Sequence, residues 1–272
     1  AAVLGISPWA TPYDVWLQKT GKVIDVEDES QWLTAGTRFE TGVLGFAEAE
    51  LGPLIKNQRR VCADLPLAAT IDALVVKTGE PVEAKTTGLF GPVKGVWGEE
   101  GTDQVPDHYI VQCQVHMMAT GAKVCHLPAF IGGRGFVMFT VKDHEDLAKT
   151  IADKAKDFWE NYVVKDVEPD ATASLSLLKR VIRKPKKVVD VEPDLVAEWM
   201  SLKAKINDLM KEKKEVQAEL IQSLGDAEAG LYKTEDGSAA VTYYESDRKG
   251  YTVEPSKTRT LRHRAEGLPE GT

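Results

Sequence analysis

The sequence predicts an α/β protein: a mixed sheet flanked by helices, followed by a long helix and a small β-meander. Three observations carry this. Apolar residues recur at helical spacing in 30–51, 107–119 and 143–162, and alternating or β-branched runs lie between them. The order is therefore helix, meander, helix, strand pair, helix. At 272 residues and 43% hydrophobic content, the chain can bury one α/β domain and carry a smaller appendage. From 165 onward the composition changes to acids, then a basic run, then a Lys/Glu-rich amphipathic stretch. The expected division is a first domain at 1–164, a basic linker or strap at 165–192, and a helical plus hairpin appendage at 193–272.

Thr11-Pro12 supplies an N-cap and a first-turn proline for a short helix that Gly21 closes. Ser30 is expected to cap a longer helix to about Leu51, with Trp32, Leu33, Gly36, Phe39, Val43, Phe46 and Ala47 along its apolar stripe. Glu40 follows Phe39 and sits at the edge of that stripe. Three strands are expected between Pro53 and Thr86, the last two joined by a Lys77-Thr78-Gly79-Glu80 turn. Residues 88–106, rich in Gly, Pro and acids around Trp97, form either a loop over the site or a surface excursion. A helix at 107–119 precedes a hairpin of Val124–Phe130 and Gly135–Val141 around Gly132-Gly133. Asp143 is expected to cap a helix running to about Tyr162. The 194–223 helix carries Leu195, Trp199, Leu202, Ile206, Leu209, Val216, Leu220 and Ile221. Its heptad pattern reads as too short and imperfect for a long coiled coil. The tail at 230–254 reads as a β-meander turning at Asp236-Gly237.

No apolar run reaches the roughly eighteen residues that a membrane helix needs. No secretory signal is visible. The three cysteines, Cys62, Cys113 and Cys125, are odd in number and form no C-x-x-C pair, which fits a reducing, cytoplasmic setting. The net charge of −8 argues against a uniformly basic nucleic-acid binder, but net charge does not describe the local field. Acids crowd 25–29 and 99–107, whereas Lys179, Arg180, Arg183, Lys184, Lys186 and Lys187 cluster in one segment, read as either a DNA contact or a solvated linker. Arg259, Arg262 and Arg264 form a second basic cluster.

The chemistry concentrates between Asp72 and Lys85. Side chains alternate along a strand, so Glu83 and Lys85 share a face, and Asp72 reaches it from the partner strand. Two acids and one amine then converge beside core strands. That set suits a hard cation such as Mg²⁺, with room for water and phosphate oxygens, and points to metal-assisted phosphodiester cleavage. The bland alternative is a pair of surface strands with alternating charge. Cys113-x-x-His116 with Cys125-His126 makes a poor zinc site, because adjacent residues on a strand point apart, and reads better as core. Gly132-Gly133-Arg134-Gly135 reads as a turn.

Four blocks in this order resemble the YqaJ-like viral recombinase, or lambda-exonuclease-type, nucleases of the PD-(D/E)xK superfamily. They are Val3-Leu4-Gly5-Ile6-Ser7-Pro8-Trp9 with Thr11-Pro12-Tyr13-Asp14-Val15-Trp16; Gly36-x-x-x-Glu40; Asp72 with Glu83-x-Lys85; and Gln112-x-Gln114 followed by Thr120-Gly121. The resemblance spans roughly 1–162. Where the family usually has Pro-Asp-Gly, this chain has Ile71-Asp72-Ala73. The sequence given starts after the position of the family's Arg and Gly-Ser-Asp stretch, so no 5′-phosphate pocket is assigned.

The resemblance implies a restriction-endonuclease-like α/β/α core at 1–164 and a phage or prophage exonuclease acting on linear double-stranded DNA in the host cytoplasm. Its implied partner is a phage single-strand annealing protein, and its implied assembly is a homo-oligomer, a trimer. Mg²⁺ or Mn²⁺ would be held by Asp72, Glu83 and the Ala84 carbonyl, and Glu40 would complete the shell or support a second ion. Lys85 would orient or deprotonate the nucleophile and stabilise the phosphorane. Gln112 would hydrogen-bond the lysine or the nucleophilic water, and Gln114, two residues on, would point elsewhere. Two other readings remain: a restriction-like endonuclease with the same chemistry, and a catalytically inactive DNA-binding or scaffolding module.

Overall fold

The computed structural model describes residues 1–24, 31–88, 97–235, 237–245 and 261, without the side chains of 31–33 and 234. The expectations placed on Ser30, on the acids at 25–29, on Asp236 and on Arg259, Arg262 and Arg264 lie outside these residues, as do the side chains of Trp32 and Leu33. The chain forms two compact units, Ala1–Arg183 and Lys184–Thr272.

In the first unit, α1 (Pro12–Lys19) starts with a capping box. The Thr11 hydroxyl accepts from Asp14 N at 3.2 Å, and the Asp14 carboxylate accepts from Thr11 N at 2.9 Å. The buried Asp14 also accepts from Ser174 N at 2.8 Å, which ties α1 to α5 (Leu175–Leu178). Leu177 is buried with Trp16, Leu17 and Phe158, and Val23 bridges Val181. Residues 173–181 are thereby packed onto the first unit.

The central sheet contains β1 (Leu54–Val61), β2 (Ala68–Val75), β3 (Pro81–Val82), β4 (Lys85–Thr87), β5 (Val124–Ile131) and β6 (Gly135–Lys142). β1–β2, β2–β3 and β5–β6 pair antiparallel, while β3 and β4 both run parallel to β5. Helix α2 (Gln31–Leu51) covers one face, packing Leu44 and Ala47 against Ala73, Val75, Val82 and Met138. Helix α3 (Asp107–Thr120) covers the other, with Cys113 and Met117 against Leu127, Phe139 and Val141. Met138 and Phe139 are neighbours on β6 and point to opposite faces, so the layers are α/β/α.

Several local expectations change. Four strands, rather than three, occupy 54–87. Phe39 is 55% exposed and stacks on Phe130 rather than lying in the core. Helix α4 (Glu145–Phe158) is capped by His144, whose Nδ1 accepts from Leu147 N, whereas Asp143 pairs with Lys123. A π-helical turn at Trp159–Val163 continues it. Trp97 packs on Phe139 and Tyr109, so this end of the 88–106 stretch lies on the core.

The second unit contains α6 (Pro193–Leu224) and a hairpin of β7 (Ala229–Thr234) and β8 (Gly237–Thr242).

Candidate active site

A broken strand builds the site. β3 and β4 pair with β5 at one common offset, so they are a single strand path interrupted at Glu83-Ala84. Glu83 N still donates to His126 O at 2.9 Å. In that parallel register the Glu83 carbonyl would need the N–H of residue 128, and Pro128 has none. The ladder therefore fails at this step. Ala84 N turns instead to Asp72 Oδ2 on β2, at 2.8 Å. The tight turn after β2 that brings these strands together uses Gly79 at φ 74°.

Glu83, 3% exposed, faces α3. Its Oε1 accepts from Gln112 Nε2 at 2.6 Å and forms an ion pair with Lys85. The Lys85 ammonium also lies 4.8 Å from the Tyr109 ring centre. Glu83 Oε2 faces His116 Nδ1 at 3.5 Å, and neither of these buried atoms has a hydrogen-bond partner. Tyr109, Gln112 and His116 lie three and four residues apart, so one face of α3 supplies all three.

Burial pushes the Glu83 carboxyl up to about 7; Lys85 opposes this, and the Asp72 and Glu40 carboxylates add to it. Burial also raises Asp72, against the Ala84 N–H and Lys85. Glu40 is raised by burial and then by Asp72. Burial works to lower Lys85, but its acidic neighbours, Glu83 first, leave it raised overall. His116 is driven down to about 4 by burial and by Lys85, so near neutral pH it is uncharged.

Three acids in mutual repulsion beside one amine form an oxygen donor set that a divalent cation would relieve. Among the described residues, no three acidic, histidine or cysteine side chains form a ready-made cage. Two carboxylates with remaining places for water match Mg²⁺, which binds through few protein ligands. The donor chemistry thus fits such an ion. A cleft of about 570 Å³, lined by Ser7, Trp9, Lys85, His108, Tyr109 and Gln112 among others, opens beside the lysine.

The structure brings Asp72, Glu83, Lys85 and Gln112 together, with Glu40 within electrostatic range. The Gln112 amide, expected on the lysine or the nucleophilic water, donates to Glu83. Gln114 is buried elsewhere, donating to Lys142 O at 2.8 Å and accepting from His144 N at 3.2 Å. Cys113 and Cys125 are buried thiols, and His126 pairs with Glu80 at 3.0 Å. Of the basic cluster, Arg180 donates to Ile24 O and Arg183 to Leu178 O. Lys179, Lys184, Lys186 and Lys187 are exposed, the last three in the second unit. Sequence reasoning missed Trp9, His108, Tyr109 and His116 as parts of the site. The helical spacing of Tyr109 and His116 around Gln112 was the available signal for two of them.

A model of the YqaJ-like viral recombinase domain matches residues 1–123. The chain is 24% identical over 242 residues to the uncharacterized protein YqaJ of Bacillus subtilis (strain 168), covering 84% of this chain and 74% of that protein. It is similar to an alkaline exonuclease (LHK-Exo) from Laribacter hongkongensis, with 17% identity and a TM-score of 0.44, over 57% of this chain and 80% of that one. A phage related exonuclease from Haemophilus somnus 129PT gives 12% identity and a TM-score of 0.40, over 55% and 79%. Over residues 1–123 this chain is thus similar to the YqaJ-like viral recombinase domain.

Proposed function

We propose that the chain is a Mg²⁺- or Mn²⁺-dependent exonuclease that hydrolyses phosphodiesters of linear double-stranded DNA during phage-type recombination. The observation that carries this is the convergence of Asp72, Glu83, Lys85 and Gln112 at the strand break, next to an open cleft. The family match supports the same reading.

Asp72 and Glu83 would hold the ion, with the Ala84 carbonyl and Glu40 as further oxygens. The ion would supply a more acidic water and a polarised phosphate. Lys85, held by Glu83 and the Tyr109 ring, places an ammonium where negative charge develops on the phosphate. At a separation of about 4 Å and an effective dielectric of about 20, this attraction is on the order of 4 kcal/mol. That corresponds to roughly a thousandfold in rate. Gln112 fixes the Glu83 carboxylate, and neutral His116 backs its other oxygen. The exposed lysines at 184–187 would contact phosphates, and a single-strand annealing protein would take up the strand left behind.

The test compares linear 5′-phosphorylated duplex with closed circular duplex in Mg²⁺. Loss of the linear substrate alone supports the exonuclease. Cutting of the circle identifies an endonuclease instead, and no cleavage of either identifies a binding module.

A further inference from the structure

Trp9 is 62% exposed, whereas Trp16 on α1 is 1% exposed in the core. An indole has about 150–250 Å² to bury, and this one stands open instead. It lines the cleft of about 570 Å³ that also contains Lys85. Its backbone is fixed there. The Ser7 hydroxyl accepts from Trp9 N and Ala10 N, both at 3.3 Å, and the Thr11 capping box follows directly. The ring meets His108 edge to face, with centroids 4.8 Å apart and planes at 88°. The Tyr109 ring lies 6.5 Å from the Trp9 ring and 4.8 Å from Lys85 Nζ, so one tyrosine neighbours both the open indole and the ammonium. All of these residues belong to the first unit, and the residues of that unit alone leave at least 62% of Trp9 open.

From this we infer that Trp9 is a stacking platform for the nucleobase that adjoins the phosphate engaged by Lys85. The inference takes its ligand, a DNA strand, from the nuclease reading above. Exposed aromatic rings hold unpaired bases by stacking, and they do so for any sequence because every base has a π-face. The cleft has the size of a small-molecule site and suits one nucleotide. A phosphate at the ammonium and its base on the indole satisfy both contacts within that nucleotide. Charge then places the phosphate and stacking places the base, which gives the site grip without base preference. Because Ser7, His108 and the capping box hold Trp9 in advance, little ordering is left to be done when the strand arrives.

The test uses the full chain in EDTA and short single-stranded oligonucleotides, read by fluorescence anisotropy. One abasic sugar is moved stepwise along the strand. In wild type, one position should cost about tenfold in affinity when its base is removed. Exchanging the base at that position should matter less than removing it. Trp9→Ala should bind the intact strand about tenfold more weakly and should no longer sense the abasic position. Trp9→Phe, which keeps a ring, should retain most of the discrimination. Circular dichroism checks that both variants are folded. A flat scan in wild type would overturn the inference, as would a Trp9→Ala variant that still senses the missing base, or the absence of any binding. Cleavage in Mg²⁺ is read separately. Cleavage with a flat scan removes the platform and leaves the nuclease, whereas a Trp9-dependent scan without cleavage keeps the platform and removes the nuclease.

Discussion

Two buried acids in the first unit show what separates support from chemistry. Asp14, at the start of α1, has both carboxylate oxygens satisfied by backbone N–H groups, and joins two distant segments. Glu83, at the break between β3 and β4, is buried to nearly the same degree. Yet one of its oxygens is shared by Lys85 and Gln112, and the other meets only an unpartnered histidine nitrogen. A satisfied buried acid is a tie-point. A crowded, unsatisfied one with its carboxyl raised to about 7 stores a charge imbalance suited to chemistry.

The sharpest contrast comes from removing an acid on each side. Asp72→Ala should abolish both cleavage and Mg²⁺ binding by calorimetry while leaving the fold intact by circular dichroism. Retained Mg²⁺ affinity would remove Asp72 from the metal set. Asp14→Ala should do the reverse. Leaving Thr11 N and Ser174 N without their acceptor should cost about 2–4 kcal/mol of stability in denaturant melts. The turnover of the still-folded fraction should not change. Gln112→Ala gives a smaller effect. Losing a hydrogen bond to a charged group is worth about 1.5–3 kcal/mol, so kcat should fall at least about tenfold. A wild-type kcat in that variant would show that Gln112 only fills space.

The smallest effect is a slope with pH. The Glu83 carboxyl is raised in the folded chain from 4.5 to about 7, so the native state binds this proton more tightly than the unfolded chain does. Its contribution to stability is full below about 4.5 and is lost as pH rises through about 7. In EDTA, Tm should therefore fall between pH 5 and 8 more steeply in wild type than in Glu83→Gln. Parallel slopes would mean that the carboxyl is not raised.

Much of the fold was legible because its signals were local. Alternation and the Gly79 turn marked β2 and its partner strand, and Thr11-Pro12 marked α1. What escaped depended on distant residues. The strand break at Glu83 arises from Pro128, some forty-five positions away, and only the parallel register shows that the two meet. Gln112 was read as a partner of the lysine or of the nucleophilic water, yet the Glu83 carboxylate takes the amide. Asp143 looked like a helix cap by type, but Lys123 on a neighbouring segment engages it and leaves the cap to His144. Phe39 fits the helical stripe of α2, yet it is 55% exposed and stacks on Phe130 of β5, a contact between distant residues that the local spacing does not show.

The most direct measurement is cleavage of linear 5′-phosphorylated duplex by wild type and Lys85→Ala across a Mg²⁺ titration, with Mg²⁺ binding measured on both proteins. The account predicts that Lys85→Ala keeps its Mg²⁺ affinity and loses about a thousandfold in rate. Equal rates in the two proteins would contradict it, because the amine at the strand break would then play no part in the reaction.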